Sequence, residues 1–195
     1  MLKAVLFDID GVLLHSEEAL YHCFFDCIRE FGYSTGLTRE ELLSHNYGLA
    51  SQWLSAVVPN AKNVREMVRW IADNYTRYLV KYARINQDAL SVLNELKKQG
   101  LKTAIVTNQT REEAQASLSL LNFPFDAVVN VRDVKHPKPS PEPVLLALKK
   151  LGGLQANEVL FVGDTPADYS AGKDAGVRVV LLYNEFNPQV ANAQK

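Results

Sequence analysis

The hydrophobic and polar positions of this chain follow two periodicities that alternate along most of its length. Five short runs are almost continuously apolar, which is typical of strands in a parallel sheet covered on both faces. Between most of them, apolar residues recur every three or four positions, which is the spacing of an amphipathic helix. The predicted strands are Ala4–Phe7, Thr103–Thr107, Ala127–Val131, Val159–Val162 and Val177–Leu182.

Helix-start and helix-stop signals bound the helical segments in the second half of the chain. Thr110 and Glu113 form a capping-box pattern, and Ser140 precedes a proline as the N-cap of the next helix. Helices and strands therefore alternate from Gln87 onward, which predicts an α/β fold with a doubly wound, parallel five-stranded sheet. The predicted helices of this part are Gln87–Gln99, Arg111–Leu121 and Pro141–Leu151.

The segment Ser16–Arg84 breaks this alternation, because its pattern is helical with no convincing strand. Thr38 and Glu41 form a second capping box. An insertion after the first strand would lie above the carboxyl ends of the sheet, where ligands bind in open α/β folds. Its aromatic residues are predicted to pack in a core rather than form a ligand cage. Its predicted long helices are Ser16–Phe31 and Asn63–Tyr82.

This pattern divides the chain into two predicted domains. Residues 1–15 and 85–195 would form the α/β core, and residues 16–84 would form an all-α cap. A chain of 195 residues is long enough for one core domain and a smaller inserted one.

Composition and charge narrow the possible partners. The chain has 21 basic and 22 acidic residues, so its net charge of −1 does not favour nucleic acid or an anionic membrane as a partner. Cys23 and Cys27 are four residues apart on one helix face, where we expect buried thiols. No apolar run approaches the length of a membrane span, so we expect a soluble cytoplasmic protein.

Two aspartates at the end of the first strand suggest a reaction site. Strand alternation points the side chains of Asp8 and Asp10 the same way, immediately before Gly11. Carboxylates so close repel each other, and a bound divalent cation such as Mg²⁺ would relieve that repulsion and bring a phosphate with it. Taken alone, the pair could equally be a strand terminator.

Three further signals follow later strands. Thr107 ends the second strand, where a hydroxyl and backbone amides can bind an anion. Lys138 lies in a proline-rich approach to a helix, and Asp164 and Asp168 follow the fourth strand. Each alone could be an ordinary strand end, surface lysine or helix cap. Parallel topology nevertheless gathers all of them at one sheet edge.

The order and context of these residues resemble the haloacid dehalogenase superfamily. The resemblance rests on Asp-x-Asp-Gly-Val, Thr107, Lys-Pro-x-Pro-Glu-Pro and Val-Gly-Asp-x-x-x-Asp, and it spans the whole chain. The insertion is similar to the small helical cap of the phosphoglycolate phosphatase and β-phosphoglucomutase group. The family often has Asp-Ser where this chain has His15-Ser16, so His15 would be a hinge residue of the cap or, as we favour, a solvent-facing one.

The resemblance implies a role for each matching residue. Asp8 would be the nucleophile that forms an aspartyl-phosphate, and Asp10 would be the general acid and base. Thr107 and the amide of Asn108 would hold phosphate oxygens, while Lys138 offsets their charge. Asp8, the carbonyl of Asp10 and Asp164 would bind Mg²⁺. Asp168 would be a further ligand, directly or through water, or a support for Lys138.

The function that the resemblance implies is a Mg²⁺-dependent phosphatase acting on a small phosphorylated metabolite. A phosphomutase of the β-phosphoglucomutase type shares the same motifs, and a catalytically idle regulatory protein is a third possibility. A dehalogenase is disfavoured, because carbon–halogen cleavage needs neither Asp10 nor the metal ligands. We expect substrate contacts from the loop between two cap helices, through Asn46, Tyr47 and Gly48.

Overall fold

The computed structural model describes residues 1–44 and 49–183. Five strands of the described part form a parallel sheet, and two short ones form an antiparallel pair. In chain order the strands are β1 (Ala4–Phe7), β2 (Leu14–His15), β3 (Arg84–Ile85), β4 (Lys102–Val106), β5 (Ala127–Val129), β6 (Val159–Gly163) and β7 (Arg178–Leu181). The large sheet has the order β5-β4-β1-β6-β7, which confirms the predicted five-stranded α/β fold.

Helices occupy most of the remaining described chain. Two single-turn 3₁₀ helices, Val131–Asp133 and Ala156–Glu158, precede α7 and β6 respectively. The α-helices are α1 (Glu17–Glu30), α2 (Arg39–Ser44), α3 (Ala50–Val57), α4 (Val64–Tyr82), α5 (Ala89–Lys98), α6 (Arg111–Leu121), α7 (Glu142–Lys150) and α8 (Pro166–Asp174). No helix in the described ranges is both long enough and apolar enough to cross a membrane.

The helices cover both faces of the large sheet. Ala4 and Leu6 point to one face and pack in a cluster with residues of α7 and α8. Val5 and Phe7 alternate to the other face and pack with residues of α5 and α6. Side chains of a strand alternate between its faces, so a continuously apolar run fills both clusters at once.

The boundaries of the predicted elements differ from the observed ones by at most two residues. β5 ends at Val129 because Asn130 caps the following 3₁₀ turn, with its side chain accepting a hydrogen bond from the amide of Arg132. Helix α6 has the predicted bounds and the predicted capping box. Ser140 is not the N-cap of α7: Pro141 occupies that position, and Ser140 accepts instead from the amide of Glu142.

The segment between β2 and β3 is helical throughout its described residues. Helices α1, α3 and α4 build a hydrophobic cluster separate from those of the sheet, and both Cys23 and Cys27 are buried in it as predicted. The predicted capping box of Thr38 and Glu41 is present at the start of α2.

The sequence pattern missed the short ribbon that joins this segment to the rest of the chain. β2 and β3 pair in antiparallel fashion through two residues each, which is too short for a periodicity to be visible. His15 lies in this ribbon opposite Arg84, and its side chain is exposed. The favoured prediction, that His15 faces solvent, is therefore confirmed, and a hinge role stays a prediction.

Candidate active site

The register of the sheet brings the predicted residues to one edge. Phe7 at the end of β1 lies opposite Ile105 of β4 and Val162 of β6. The polar residues that follow these three strands therefore leave the sheet at the same level. The amide of Asp8 still donates to the carbonyl of Val162, at 2.9 Å, so the carboxylate is held at the strand end.

Gly11 lets the loop after β1 approach the loop after β6. Its φ of +70° lies in the region that favours glycine. A Cβ atom at this position would lie 2.0 Å from Oδ2 of Asp164, so any side chain would displace that carboxylate. The Asp-x-Asp-Gly pattern thus brings Asp164 next to the first loop as well as turning the chain.

Lys138 lies at the centre of the carboxylate cluster. Its ammonium donates hydrogen bonds to Asp168 Oδ1 at 2.6 Å and to the carbonyl of Val106 at 3.0 Å. It also forms an ion pair with Asp8 Oδ1 at 2.9 Å. The residue is 4% exposed, so this positive charge is shielded from water and fixed in position.

Asp168 is fully buried, and its contacts are those of a supporting residue. Beside the Lys138 contact, its second oxygen accepts hydrogen bonds from the amides of Asp164 and Thr165, at 3.2 and 3.0 Å. The hydroxyl of Thr165 also donates to it, at 2.6 Å. Of the two predicted roles for Asp168, these contacts favour that of holding Lys138 in place. Its role as a metal ligand stays a prediction.

Thr107 and Asn108 organise the loop after β4. Thr107 is buried, and its hydroxyl oxygen accepts from the amide of Gln109 at 3.1 Å. The side chain of Asn108 is paired with the backbone of Lys138: its Nδ2 donates to the Lys138 carbonyl, and its Oδ1 accepts from the Lys138 amide, both at 3.0 Å. Asn108 therefore ties the lysine segment to β4, so only its backbone amide fits the predicted phosphate contact.

Asp10 is oriented by two residues that the sequence did not single out. The hydroxyl of Ser16 donates to Oδ1 of Asp10 at 2.6 Å. The side-chain amide of Gln109 donates to both carboxylate oxygens, at 3.1 and 3.0 Å. Gln109 is itself held by Ser117 of α6, whose hydroxyl donates to its Oε1 at 3.1 Å. The carboxyl of Asp10 therefore has a defined orientation.

Burial raises the pKa values of both aspartates that follow β1. Burial raises the pKa of Asp8 to about 7, although the charge of Lys138 works in the opposite direction. Burial also raises the pKa of Asp10, partly offset by the hydrogen bonds from Ser16 and Gln109. For Lys138, burial lowers the pKa, but the charges of Asp168 and Asp8 outweigh it and keep the ammonium protonated.

The carboxylates offer a fitting site for a hard cation. One oxygen from each of Asp8, Asp164 and Asp168 lies within 4.8 Å of the others. Oδ1 of Asp8 is buried and, among the described residues, makes an ion pair but no well-aligned hydrogen bond. A buried carboxylate oxygen in that state is what a divalent cation would coordinate.

The carboxylates and Lys138 form the floor of a cavity of about 220 Å³, and the helical segment forms its opposite wall. Among the described residues, that wall is apolar except for Tyr75 of α4 and Glu17 of α1. The predicted contact residues Asn46, Tyr47 and Gly48 lie outside the described residues. The described wall residues are Glu17, Leu20, Phe24, Leu43, Ala50, Ile71 and Tyr75.

Three residues of the cavity escaped the sequence analysis for different reasons. Ser16 and Gln109 each lie near a predicted residue, but serine and glutamine are common at helix starts and in loops. Tyr75 fits the apolar periodicity of α4, so it was counted with the packing residues. Only the distance of each side chain to Asp10 or to the cavity distinguishes it.

Comparison with known proteins agrees with this geometry. The profile of the haloacid dehalogenase-like hydrolases matches residues 5–182. Pyrophosphatase PpaX of Bacillus velezensis is 35% identical over 182 residues, which is 90% of this chain and 80% of that protein.

Solved structures share the fold over nearly the whole chain. A HAD-superfamily hydrolase of subfamily IA from Geobacter sulfurreducens has a TM-score of 0.71 and 25% identity, covering 100% of this chain and 97% of its own. A mutant of CbbY from Rhodobacter sphaeroides in complex with xylulose-(1,5)bisphosphate has a TM-score of 0.84 and 20% identity, covering 97% and 89%. With its strand-end aspartates and the matching profile, the chain belongs to the haloacid dehalogenase-like hydrolase family.

Proposed function

We propose that this protein is a Mg²⁺-dependent phosphatase that hydrolyses a small phosphorylated metabolite through an aspartyl-phosphate. Residues 1–15 and 85–195 would be its catalytic core, and residues 16–84 its cap. The observation that carries the proposal is that Asp8 and Asp10 line one cavity in two different settings. Asp8 forms an ion pair with the buried Lys138, whereas Asp10 accepts hydrogen bonds from Ser16 and Gln109. A pyrophosphatase relative and a bisphosphate-bound structural neighbour support phosphorylated compounds as the substrate class.

The first chemical step would transfer the phosphoryl group to the enzyme. A carboxylate oxygen of Asp8 attacks phosphorus, and the bond between phosphorus and the ester oxygen breaks. The carboxyl group of Asp10 gives its proton to the departing oxygen, for which its raised pKa is suited. Lys138, Thr107 and the backbone amide of Asn108 would stabilise the negative oxygens of the transferring group.

The second step would release phosphate. Asp10, now ionised, takes a proton from a water molecule as that water attacks the phosphorus of the aspartyl-phosphate. The bond between phosphorus and the Asp8 oxygen breaks, which restores both carboxyl groups. Asp8 and Asp164, with the carbonyl of Asp10, would hold Mg²⁺, which supplies positive charge next to the transferring phosphoryl group.

Phosphate release from p-nitrophenyl phosphate tests this proposal. Activity should require Mg²⁺, disappear in excess EDTA and be suppressed by Ca²⁺, whose higher coordination number favours a bidentate grip on Asp8. Asp8→Asn should retain the circular dichroism spectrum but lose at least about a thousandfold in kcat.

Two results would count against the proposal. A folded Asp8→Asn protein with nearly wild-type turnover would remove Asp8 from the nucleophile role. Formation of an isomeric sugar phosphate without release of inorganic phosphate would favour a phosphomutase instead.

A further inference from the structure

Ser117 is a buried serine of α6 whose hydroxyl does not make the usual contact of a serine within a helix. Such hydroxyls often donate to the carbonyl four residues earlier. Ser119 of the same helix does so, donating to the carbonyl of Gln115 at 2.8 Å. The hydroxyl of Ser117, which is 0% exposed, instead donates to Oε1 of Gln109 at 3.1 Å. A buried hydroxyl of α6 is therefore bonded to the side chain that contacts Asp10.

The backbone of Gln109 is held at both ends, so the side-chain amide is its remaining variable part. The backbone amide donates to the hydroxyl oxygen of Thr107 at 3.1 Å, and the backbone carbonyl accepts from the amide of Val131 at 3.0 Å. Turning the side-chain amide over would exchange Oε1 and Nε2 with almost no change in shape. In the observed orientation Nε2 donates to both carboxylate oxygens of Asp10.

The orientation of this amide matters most while Asp10 carries its proton. An ionised Asp10 repels Oε1, because both are acceptors, and so keeps Nε2 in place by itself. A protonated Asp10 would instead donate its proton in a hydrogen bond to Oε1 of a reversed Gln109, which would hold that proton away from the leaving group. In this state Ser117 favours the observed orientation, because its hydroxyl hydrogen would need a new acceptor if Nε2 faced it.

We propose that Ser117 is a positioning residue, which holds Nε2 of Gln109 towards Asp10 while Asp10 is the general acid. This inference rests on the proposed phosphatase function and adds a residue to its first step. Ser117 does not line the cavity, so it would act only through Gln109. Once the leaving group has taken the proton, the ionised Asp10 orients the amide itself. Ser117 therefore contributes to phosphoryl transfer and not to hydrolysis of the aspartyl-phosphate.

Two phosphate esters of similar shape test this role. The leaving group of phenyl phosphate needs a proton, since the pKa of a phenol is about 10, whereas the nitro group of p-nitrophenyl phosphate stabilises the departing phenolate. Ser117→Ala should lower kcat/KM for phenyl phosphate about three- to tenfold, the size expected for one neutral hydrogen bond. The loss for p-nitrophenyl phosphate should be less than about twofold. The ratio kcat/KM is measured because it covers the steps up to departure of the leaving group.

A double-mutant cycle tests whether Ser117 acts through Gln109. Gln109→Met removes the amide that Ser117 is proposed to orient. In that background, Ser117→Ala should change kcat/KM for phenyl phosphate by less than about twofold. A loss of the same size in both backgrounds would mean that Ser117 acts in some other way, and would overturn the proposal.

Ser119→Ala is the matched control, because it removes an exposed hydroxyl from the same helix. It should leave kcat/KM unchanged for both esters. Ser117→Ala itself should lower the Tm, since Oε1 of Gln109 loses its buried donor, so the Tm does not distinguish positioning from a purely structural role. The ratio between the two esters does: equal losses on both would assign Ser117 a structural role and overturn the proposal.

Hydrogen exchange measured by NMR separates this inference from the phosphatase proposal. The two Nε2 protons of Gln109, identified by their absence in Gln109→Met, should exchange slowly with water in the wild type. In Ser117→Ala they should exchange at least about threefold faster. Rapid exchange in the wild type, or unchanged exchange in the variant, would overturn the inference. If the wild type hydrolyses neither ester, the phosphatase proposal fails, and the exchange rates still decide whether Ser117 orients Gln109.

Discussion

The floor and the wall of the cavity differ in polarity and in how their polar atoms are bonded. On the floor, polar atoms are bonded to one another: Lys138 contacts three oxygens, and Asp168 accepts from two amides and a hydroxyl besides. On the wall, most of the described side chains that line the cavity are apolar, among them Leu20, Phe24 and Ile71. The polar groups of the floor are therefore oriented by one another, whereas the wall offers mainly an apolar surface.

This contrast matches the physical demands on the two regions. Phosphoryl transfer needs charges that are already oriented, because reorienting them during the reaction would add to the barrier. Selection among substrates needs a difference in binding free energy, which an apolar surface of a given shape can provide. Changes to the floor should therefore affect folding and every substrate, and changes to the wall should affect only some substrates.

The largest effect is expected from Lys138→Met. The substitution leaves Asp8 and Asp168 as buried carboxylates without their cation, and breaking such a buried pair costs about 3–5 kcal/mol. Urea unfolding of the metal-free protein should show that loss in the free energy of unfolding. The kcat should fall at least about a thousandfold on every substrate, because the charge that stabilises the transferring phosphoryl group is gone.

Lys150→Met is the control for this substitution. Lys150 of α7 also pairs with a carboxylate, that of Asp133 at 3.3 Å, but the pair is partly exposed. Its loss should cost less than about 1 kcal/mol and leave kcat unchanged. Similar stability losses in the two variants would mean that burial does not set the strength of the Lys138 cluster.

The residues of the floor could be predicted from the sequence because they are charged or polar residues next to apolar segments. The aspartates follow apolar strands and Lys138 precedes a helix, and parallel topology places these positions together without knowledge of the side chains. Asp8, Asp10, Thr107, Lys138 and Asp164 accordingly line one cavity. What could not be predicted was Gln109, since a loop glutamine is recognisable only by the carboxylate that it contacts.

The residues of the wall could not be recognised from the sequence, because they follow the same apolar pattern as residues that only pack. Leu20, Phe24, Ile71 and Tyr75 follow the same helical periodicity as residues that only pack. Tyr75 was predicted to be a packing residue, and it is indeed buried, but it also lines the cavity. Periodicity indicates which helix face is buried, not whether the burial is against protein or against a ligand.

A smaller effect than that of Lys138 is expected from Gln109→Met, which removes the two hydrogen bonds from the Gln109 side chain to Asp10 and leaves that from Ser16. The kcat/KM for glycerol 3-phosphate should fall about 10- to 100-fold, since a misoriented general acid protonates the alkoxide poorly. The loss for p-nitrophenyl phosphate should be less than about threefold, because its leaving group needs little protonation. Loss of these hydrogen bonds also raises the pKa of Asp10 further, so the basic limb of the kcat/KM profile should move to higher pH.

Gln115→Met provides the same substitution on the exposed side of α6. It should leave both substrates and the pH profile unchanged. If Gln109→Met reduced both substrates equally and left the pH profile in place, Gln109 would support the loop rather than position the acid.

The smallest effect is expected on the affinity of the floor for Mg²⁺, whose apparent Kd should change about tenfold for each pH unit. Burial raises the pKa of Asp8 from 3.8 to about 7 in the metal-free protein, so below pH 7 the cation must displace a proton. The apparent Kd for Mg²⁺ should therefore rise about tenfold for each pH unit below 7 and level off above it.

The same shift has a definite sign for stability. The pKa of Asp8 is higher in the folded than in the unfolded protein, so its contribution to stability is fully present below about pH 4 and is lost as the pH rises through about 7. Added Mg²⁺ should restore that loss most strongly at pH 8. Calorimetric titrations at pH 6, 7 and 8, in two buffers of different ionisation enthalpy, measure the Kd and the protons released together. Asp8→Asn should abolish the proton release, and a wild-type Kd that is independent of pH from 6 to 8 would show that Asp8 is already ionised when the cation binds.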